Sequence, residues 1–301
     1  MEQGKRKGTL EDYLIKRIKE SGYPLEVEIS NMLDKEFVVF NTQYYFDEES
    51  KQGRDIDIYA IPNVILNTYT IDELEKKIAP FSLMCEIAVE CKKSDTHAWV
   101  FFTRPLITPM SLYISGQYCD EFFGTMSPQS LFFGKLNFHY KEFNEAAIAT
   151  DEIKIKKDKK NDSRRTVFGA TNQLVKFILY EKGPPKESKV PRKDFQIRVF
   201  FPIIVFDGSM YRVNLESGEP KLEKAKHILI KTSHRSPYTK EVERFVIDVV
   251  HRSYFPEFMR KLNLDFLNLI EVVLQQHDEL VKKAEEIKQK YESETKEGTF
   301  G

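Results

Sequence analysis

Cysteine is scarce in this 301-residue chain, with only Cys85, Cys91 and Cys119 present. Three thiols without a CxxC pair cannot build a disulfide framework or a cysteine-rich zinc site. A reducing compartment and no structural zinc are expected. An excess of charge of either sign is also missing: 46 Lys and Arg face 47 Asp and Glu, a formal net charge of −1. That excludes a histone-like binder held to nucleic acid by bulk charge alone, but it leaves room for local patches. No apolar run approaches the about 18 residues of a spanning helix, so no membrane partner is expected. The opening stretch MEQGKRKGTLEDYLIKR has no apolar core of a secretion signal, which points to the cytoplasm. Several catalytic signatures are absent as well. Without GxxxxGK before Ser or Thr, GxGxxG or a GxSxG elbow, nucleotide-triphosphate binding, dinucleotide binding and serine hydrolysis have no support. The six histidines form neither HxH nor HExxH, so a zinc hydrolase has none either.

What is present suits a soluble globular chain of one large domain or two small ones, 41% hydrophobic and 31% charged. Thr9 and Asp12 predict a capped helix over 9–20, and Pro24 predicts a second over about 24–36 with Leu25, Ile29, Met32 and Leu33 as its stripe. Strands are expected at Phe37–Phe46, Arg54–Ile61 and Ser82–Lys92, with a short helix inserted from Thr70 to Ile78. In the second strand Ile56, Ile58 and Ala60 are expected on one side, with Asp55, Asp57 and Tyr59 on the other. Residues 95–150 are aromatic-rich, and 151–166 read as an exposed, mainly basic loop. A helix over 168–181 follows, with Ala170, Leu174, Phe177 and Ile178 on one face. Further strands are expected at Gln196–Phe206, Met210–Leu215, Ala225–Lys231 and Glu243–Val250, the first two joined by a hairpin at Asp207-Gly208. In the helical tail Phe266, Ile270, Val273, His277, Leu280, Ala284 and Ile287 form a heptad seam. It reads either as a long helix laid on the chain's own core or as a homodimer contact.

Chemistry concentrates in RDIDIYA and VECKK. Strand period two puts Glu90 and Lys92 on one face, and pairing of the two strands would bring Asp57 beside Glu90. Two neighbouring carboxylates repel. A lysine offsets part of that cost and a divalent cation offsets more. Hard carboxylate oxygens suit Mg²⁺, with Mn²⁺ as a substitute, together with waters and a substrate phosphate. Such a face has the parts of metal-assisted phosphodiester hydrolysis. Asp55 shares the parity of Asp57 but lies nearer the strand start. Glu86 lies about 13 Å from Glu90 along the strand, too far to share a cation. Lys93 points to the opposite face.

In this order of helix, strand, Asp-bearing strand and ExK-bearing strand, the sequence resembles the PD-(D/E)XK, or restriction-endonuclease-like, nuclease superfamily. The resemblance implies an α/β fold with an αβββαβ core, a mixed central sheet, insertions and a long C-terminal helix. It implies a nuclease-like domain over 1–252, with insertions at about 62–81 and 95–166, and a helical tail over 253–301. It also implies roles: Asp57, Glu90 and the Cys91 carbonyl as metal ligands, and Lys92 positioning the water. Glu26, in the GYPLE context, would support the site, with Glu28 as the alternative. Gln173 of ATNQLVKF would orient Lys92 or the phosphate. The family's proline before the Asp is replaced by Ile56. The implied activity is a Mg²⁺-dependent endonuclease on nucleic acid, with DNA favoured. The alternatives are an RNA-directed nuclease and an inactive binding or assembly module of the same fold.

Two further features invite functional readings. His97 and Trp99 could touch a base, or simply lead into a packed aromatic cluster. The cations Lys154, Lys156, Lys157, Lys159, Lys160, Arg164 and Arg165 could neutralise phosphates, or form a solvated loop.

Overall fold

Thr9 caps the first helix as its sequence predicts. Its hydroxyl accepts the Asp12 N–H at 3.2 Å, and Asp12 Oδ2 accepts the Thr9 N–H at 2.9 Å. The computed structural model describes residues 9–65, 69–79, 81–105, 145–155, 166–183, 195–214, 218–238, 240 and 242–282, together with 285, 286, 289 and 293. Helix α1 (Leu10–Glu20) buries none of its residues, so Leu10, Leu14 and Ile18, spaced four apart on one side of it, are exposed. Helix α2 (Tyr23–Leu33) carries Pro24 in its first turn and buries Leu25, Ile29 and Leu33.

Strands β1 (Phe37–Asp47) and β2 (Gln52–Pro62) form an antiparallel hairpin in register from Phe37 opposite Pro62 to Asp47 opposite Gln52. An excursion follows, through β3 (Val64–Ile65), β4 (Tyr69–Thr70) and α3 (Ile71–Ile78). It is anchored by burial of Leu74 and Ile78. Strand β5 (Phe81–Pro105) is 25 residues long, well beyond the usual strand. Then come β6 (Glu145–Lys154), α4 (Thr166–Lys182), β7 (Phe195–Asn214), β8 (Lys221–Lys224), β9 (His227–Arg235) and β10 (Val242–His251). A single 3₁₀ turn leads into α5 (Phe255–Gln275).

The result is mixed α/β with a mixed central sheet, in the order β1-β2-β5-β6-β9-β10-β7-β8. Strand β2 is antiparallel to both β1 and β5, whereas β5 and β7 run parallel. Because β5 also pairs with β7, the strands β5, β6, β9, β10 and β7 close a hydrogen-bonded circuit. One core lies where α2, α3 and α5 cover the sheet, and takes Ile87, Val89 and Cys91 of β5. The other lies under α4 and takes Ala88, Trp99 and Phe101. Alternation along β7 and along β5 as far as Cys91 serves both cores, and a register shift between Ser94 and Trp99 moves the odd positions of β5 into the α4 core.

Four expectations need correction. Residues 95–105 do not begin an inserted subdomain: β5 continues through them, and Trp99 is fully buried, stacked on Phe206 with centroids 3.8 Å apart. It is therefore closed to a base. Residues 151–154 are strand rather than loop; 156–165, with the rest of the basic run, lie outside the described residues. Asp207-Gly208 makes no hairpin, because β7 runs on through it with Asp207 opposite Lys93 and Gly208 opposite Ser94. Glycine is needed there for close approach: a Cβ would lie 2.6 Å from the Ser94 carbonyl oxygen and 2.5 Å from the Phe206 ring. Finally, Ile56 does not share the side of Ile58 and Ala60, since it packs in the α4 core and they pack in the other.

The heptad seam has an internal explanation. Phe266, Ile270, Val273 and Leu280 are all fully buried in the core shared with α2 and the sheet. Gln276 interrupts the helix, and His277 Nε2 bonds the Ala79 carbonyl at 2.8 Å. These positions face this chain's own core and do not present a dimer surface. Ala284 and Ile287 lie outside the described residues. Among the described residues, no helix is long and apolar enough to cross a membrane.

Candidate active site

The β2–β5 ladder runs through Ile58–Val89, Tyr59–Ala88 and Ala60–Ile87, and stops there. The next pair would be Asp57 and Glu90. The strands part at this point, and backbone groups freed from a ladder need other partners. Asp57 supplies one: its Oδ2 accepts the Cys91 N–H at 2.7 Å. On the other side of Asp57 the β1–β2 register puts Thr42 opposite, with φ of 57°. A β-branched residue in the left-handed region is strained, and such strain gathers at functional sites. The change of side between Ile56 and Ile58 falls at the same place.

Lys92 joins the two carboxylates. Its Nζ lies 2.5 Å from Glu90 Oε2 and 3.6 Å from Asp57 Oδ2. Two oxygens that share one ammonium at these distances are inside the about 7 Å span that one hard cation can bridge. Glu90 is fully buried, and its other oxygen, Oε1, has no hydrogen-bond partner. Burial pushes the Glu90 carboxyl up to about 8; Lys92 opposes that rise and Asp57 adds to it. Burial also works against the Lys92 charge, yet Glu90 and Asp57 hold its ammonium above the ordinary range. Burial raises the Cys91 thiol, which stays neutral in the core beneath α2.

Glu26, in the first turn of α2, is raised by burial and by Asp57 and lowered by Lys92, so it lies within electrostatic reach of both. Glu28 is committed elsewhere. It holds Arg252 at 2.9 and 2.5 Å, and Arg252 also reaches Asp207 at 3.3 Å. The structure thus favours Glu26 over Glu28. Gln173 is half-buried on α4, and no hydrogen bond among the described residues joins it to Lys92, Asp57 or Glu90. Asp55 is exposed opposite Tyr44 and stands outside the cluster. Lys93 turns away, donating to the Lys19 carbonyl at 2.9 Å. His97 is half-buried, with Nδ1 2.9 Å from the Thr96 hydroxyl.

A hard dication fits part of this set. Asp57 and Glu90 offer oxygens of the right kind, and buried Glu90 Oε1 lacks a partner. Among the described residues, no group of three His, Cys, Asp or Glu side chains gathers around one metal position. A backbone carbonyl, such as that of Cys91, would have to complete the protein ligands. Sequence reasoning missed one neighbour: Tyr45 of β1, whose buried hydroxyl also lacks a partner.

No protein-family model, curated protein or solved structure matches this chain.

Proposed function

We propose that this chain is a Mg²⁺-dependent phosphodiester hydrolase of the restriction-endonuclease-like kind, with DNA as its substrate. The observation that carries the reading is the meeting of Asp57, Glu90 and Lys92 where β2 and β5 part, with both carboxylates on one ammonium. The topology agrees: β1, β2 and β5 are consecutive antiparallel neighbours, and β7, which follows α4, runs parallel to β5.

Asp57, Glu90 and the Cys91 carbonyl would hold the cation. When bound, Mg²⁺ supplies a water of lowered pKa and a polarised phosphoryl oxygen. Asp57 keeps its place by accepting the Cys91 N–H. Lys92, a fixed ammonium beside both carboxylates, orients the attacking water and offsets negative charge building on the phosphoryl oxygens. Glu26 adds a carboxylate that accepts a hydrogen bond from a site water.

One observation favours a second, non-catalytic reading. Lys92 already balances Asp57 and Glu90, and the absence of a three-ligand cluster among the described residues suits a binding module of the same fold. Incubation with supercoiled plasmid and linear DNA in Mg²⁺, Mn²⁺ or EDTA separates the two. The nuclease reading expects metal-dependent nicking that Asp57→Ala and Lys92→Ala each abolish. Cleavage surviving both substitutions overturns the site, and no cleavage of DNA or RNA in any metal supports the module.

A further inference from the structure

Helix α1 carries an amphipathic pattern that the fold leaves uncovered. Leu10, Leu14 and Ile18 run along one side of it, Tyr13 and Ile15 flank them, and all five are between 48% and 72% exposed. An isolated helix of 11 residues is marginal in water, because most helices in proteins are held by packing of their apolar side. The capping box at Thr9 supplies only about 1 kcal/mol of that deficit. The far end of the helix is tied by its backbone, where Lys93 Nζ donates to the Lys19 carbonyl at 2.9 Å.

The order of residues in α1 indicates what covers this side. Outward from Leu14 the helix is symmetric in hydropathy and inverted in charge. Tyr13 answers Ile15, Asp12 answers Lys16, Glu11 answers Arg17 and Leu10 answers Ile18. A two-fold axis at Leu14 would relate two antiparallel copies so that each residue lies level with its counterpart. Leu14 then meets Leu14, and Leu10 meets Ile18. The acidic first turn, with Glu11 and Asp12, runs beside the basic last turn of the other copy, with Arg17 and Lys19. Packed helices lie about 8–10 Å apart, close to one Debye length in physiological salt, so the opposed ends attract. A parallel pair would set like charge beside like. The three acids of the helix (Glu11, Asp12 and Glu20) equal its three bases (Lys16, Arg17 and Lys19). It therefore presents no net charge to nucleic acid or to an anionic membrane.

We propose that α1 is a self-association surface, and that two copies of this chain pair through antiparallel α1 helices about a two-fold axis at Leu14. Five large apolar side chains, each about half exposed, offer on the order of 500 Å² per copy, against roughly 800 Å² per partner in a standard interface. The dimer accordingly forms in the micromolar range and depends on concentration. It does not rest on the nuclease reading.

Sedimentation velocity of the full chain from about 1 to about 200 μM, beside Leu14→Glu, tests the pairing. The wild type is expected to pass from monomer to dimer. Leu14→Glu places two like charges at the axis and should raise the dissociation constant at least about 10-fold. Its thermal midpoint at low concentration should match the wild type, since α1 buries nothing. A second arm reads direction, in a Cys119→Ser background with the buried Cys85 and Cys91 left in place. On oxidation Leu14→Cys is expected to give a covalent dimer and Leu10→Cys is not, because antiparallel twins of residue 10 lie about 12 Å apart along the axis. Equal cross-linking of the two overturns the antiparallel pairing, and a dimer that Leu14→Glu leaves intact overturns the surface. A wild-type monomer at about 200 μM overturns the proposal as well, whether the face is then found to hold duplex DNA, phosphatidylserine vesicles or another part of the chain.

Discussion

Replacing Glu90 with glutamine should stabilise this protein at alkaline pH while removing its proposed activity. The ordinary carboxyl value of 4.5 is pushed up to about 8 by burial. A raised folded-state pKa means that the folded chain holds its proton more tightly than the unfolded one. The contribution to stability is therefore fully present below pH 4.5 and is lost as pH rises through about 8. At 1.36 kcal/mol per pH unit, the whole loss comes to about 5 kcal/mol. Glutamine keeps the shape of the neutral acid without the charge. Urea unfolding of the wild type and Glu90→Gln, followed by circular dichroism from pH 4 to 9 in EDTA, gives a difference curve. Other titrating groups, such as Asp47, cancel in it. The variant should match the wild type near pH 4 and exceed it by about 5 kcal/mol at pH 9. Mg²⁺ at about 100 times its dissociation constant should return about 2.7 kcal/mol to the wild type and nothing to the variant. A flat difference curve would refute the reasoning, since Glu90 would then be as well solvated by Lys92 as by water.

Other perturbations separate scaffold from site. Glu86→Gln breaks a buried pair with Arg198 and should cost about 3–5 kcal/mol in urea unfolding, while cleavage per folded molecule is retained. Phe266→Ala should cost about 3–5 kcal/mol and leave the mass by light scattering unchanged; a drop from dimer to monomer without loss of stability would make the seam an interface after all. Gly208→Ala forces the new methyl against the Ser94 carbonyl and the Phe206 ring, and should lower stability by about 1–3 kcal/mol, as thermal melts would register.

Local rules made much of this legible. The capping box read at Thr9 forms, and the short helix expected from Thr70 forms and turns out to carry one as well. The alternation of Ile87, Val89 and Cys91 against Ala88 and Glu90 survives because each side of β5 meets a different core. That alternation brought Asp57, Glu90 and Lys92 together on paper. The failures share a cause: a local signal does not say what lies across from it. Asp-Gly is a turn signal, yet glycine also permits close backbone approach, and the neighbour at Gly208 is β5, far away in sequence. A heptad seam says that one face is apolar, but not whether it meets the chain's own sheet or a second copy. Glu26 and Glu28 differ only by two positions, and Arg252, contributed from beyond β10, is what takes Glu28 away. Tyr45 carried no signal at all, because a hydroxyl becomes conspicuous only once the fold has buried it.

The two buried glutamates of β5 supply a control within the molecule. Glu86 and Glu90 sit four residues apart on one strand, and both are fully buried. Around Glu86 the fold completes the satisfaction of the charge. Arg198 donates to both of its oxygens and Tyr59 donates a further hydrogen bond at 2.5 Å; Arg198 in turn is held by Glu181, at 3.0 Å. Around Glu90 the same sheet leaves one oxygen bare and gives the other a lysine that is shared with Asp57. A chain able to satisfy one buried carboxylate so fully has no stability reason to leave its neighbour half-paired at the mouth of a strand junction. Incomplete satisfaction amid otherwise consistent packing is what the proposed metal site would require. In the proposed site a cation would act on Glu90 Oε1, the oxygen that Lys92 leaves unpaired.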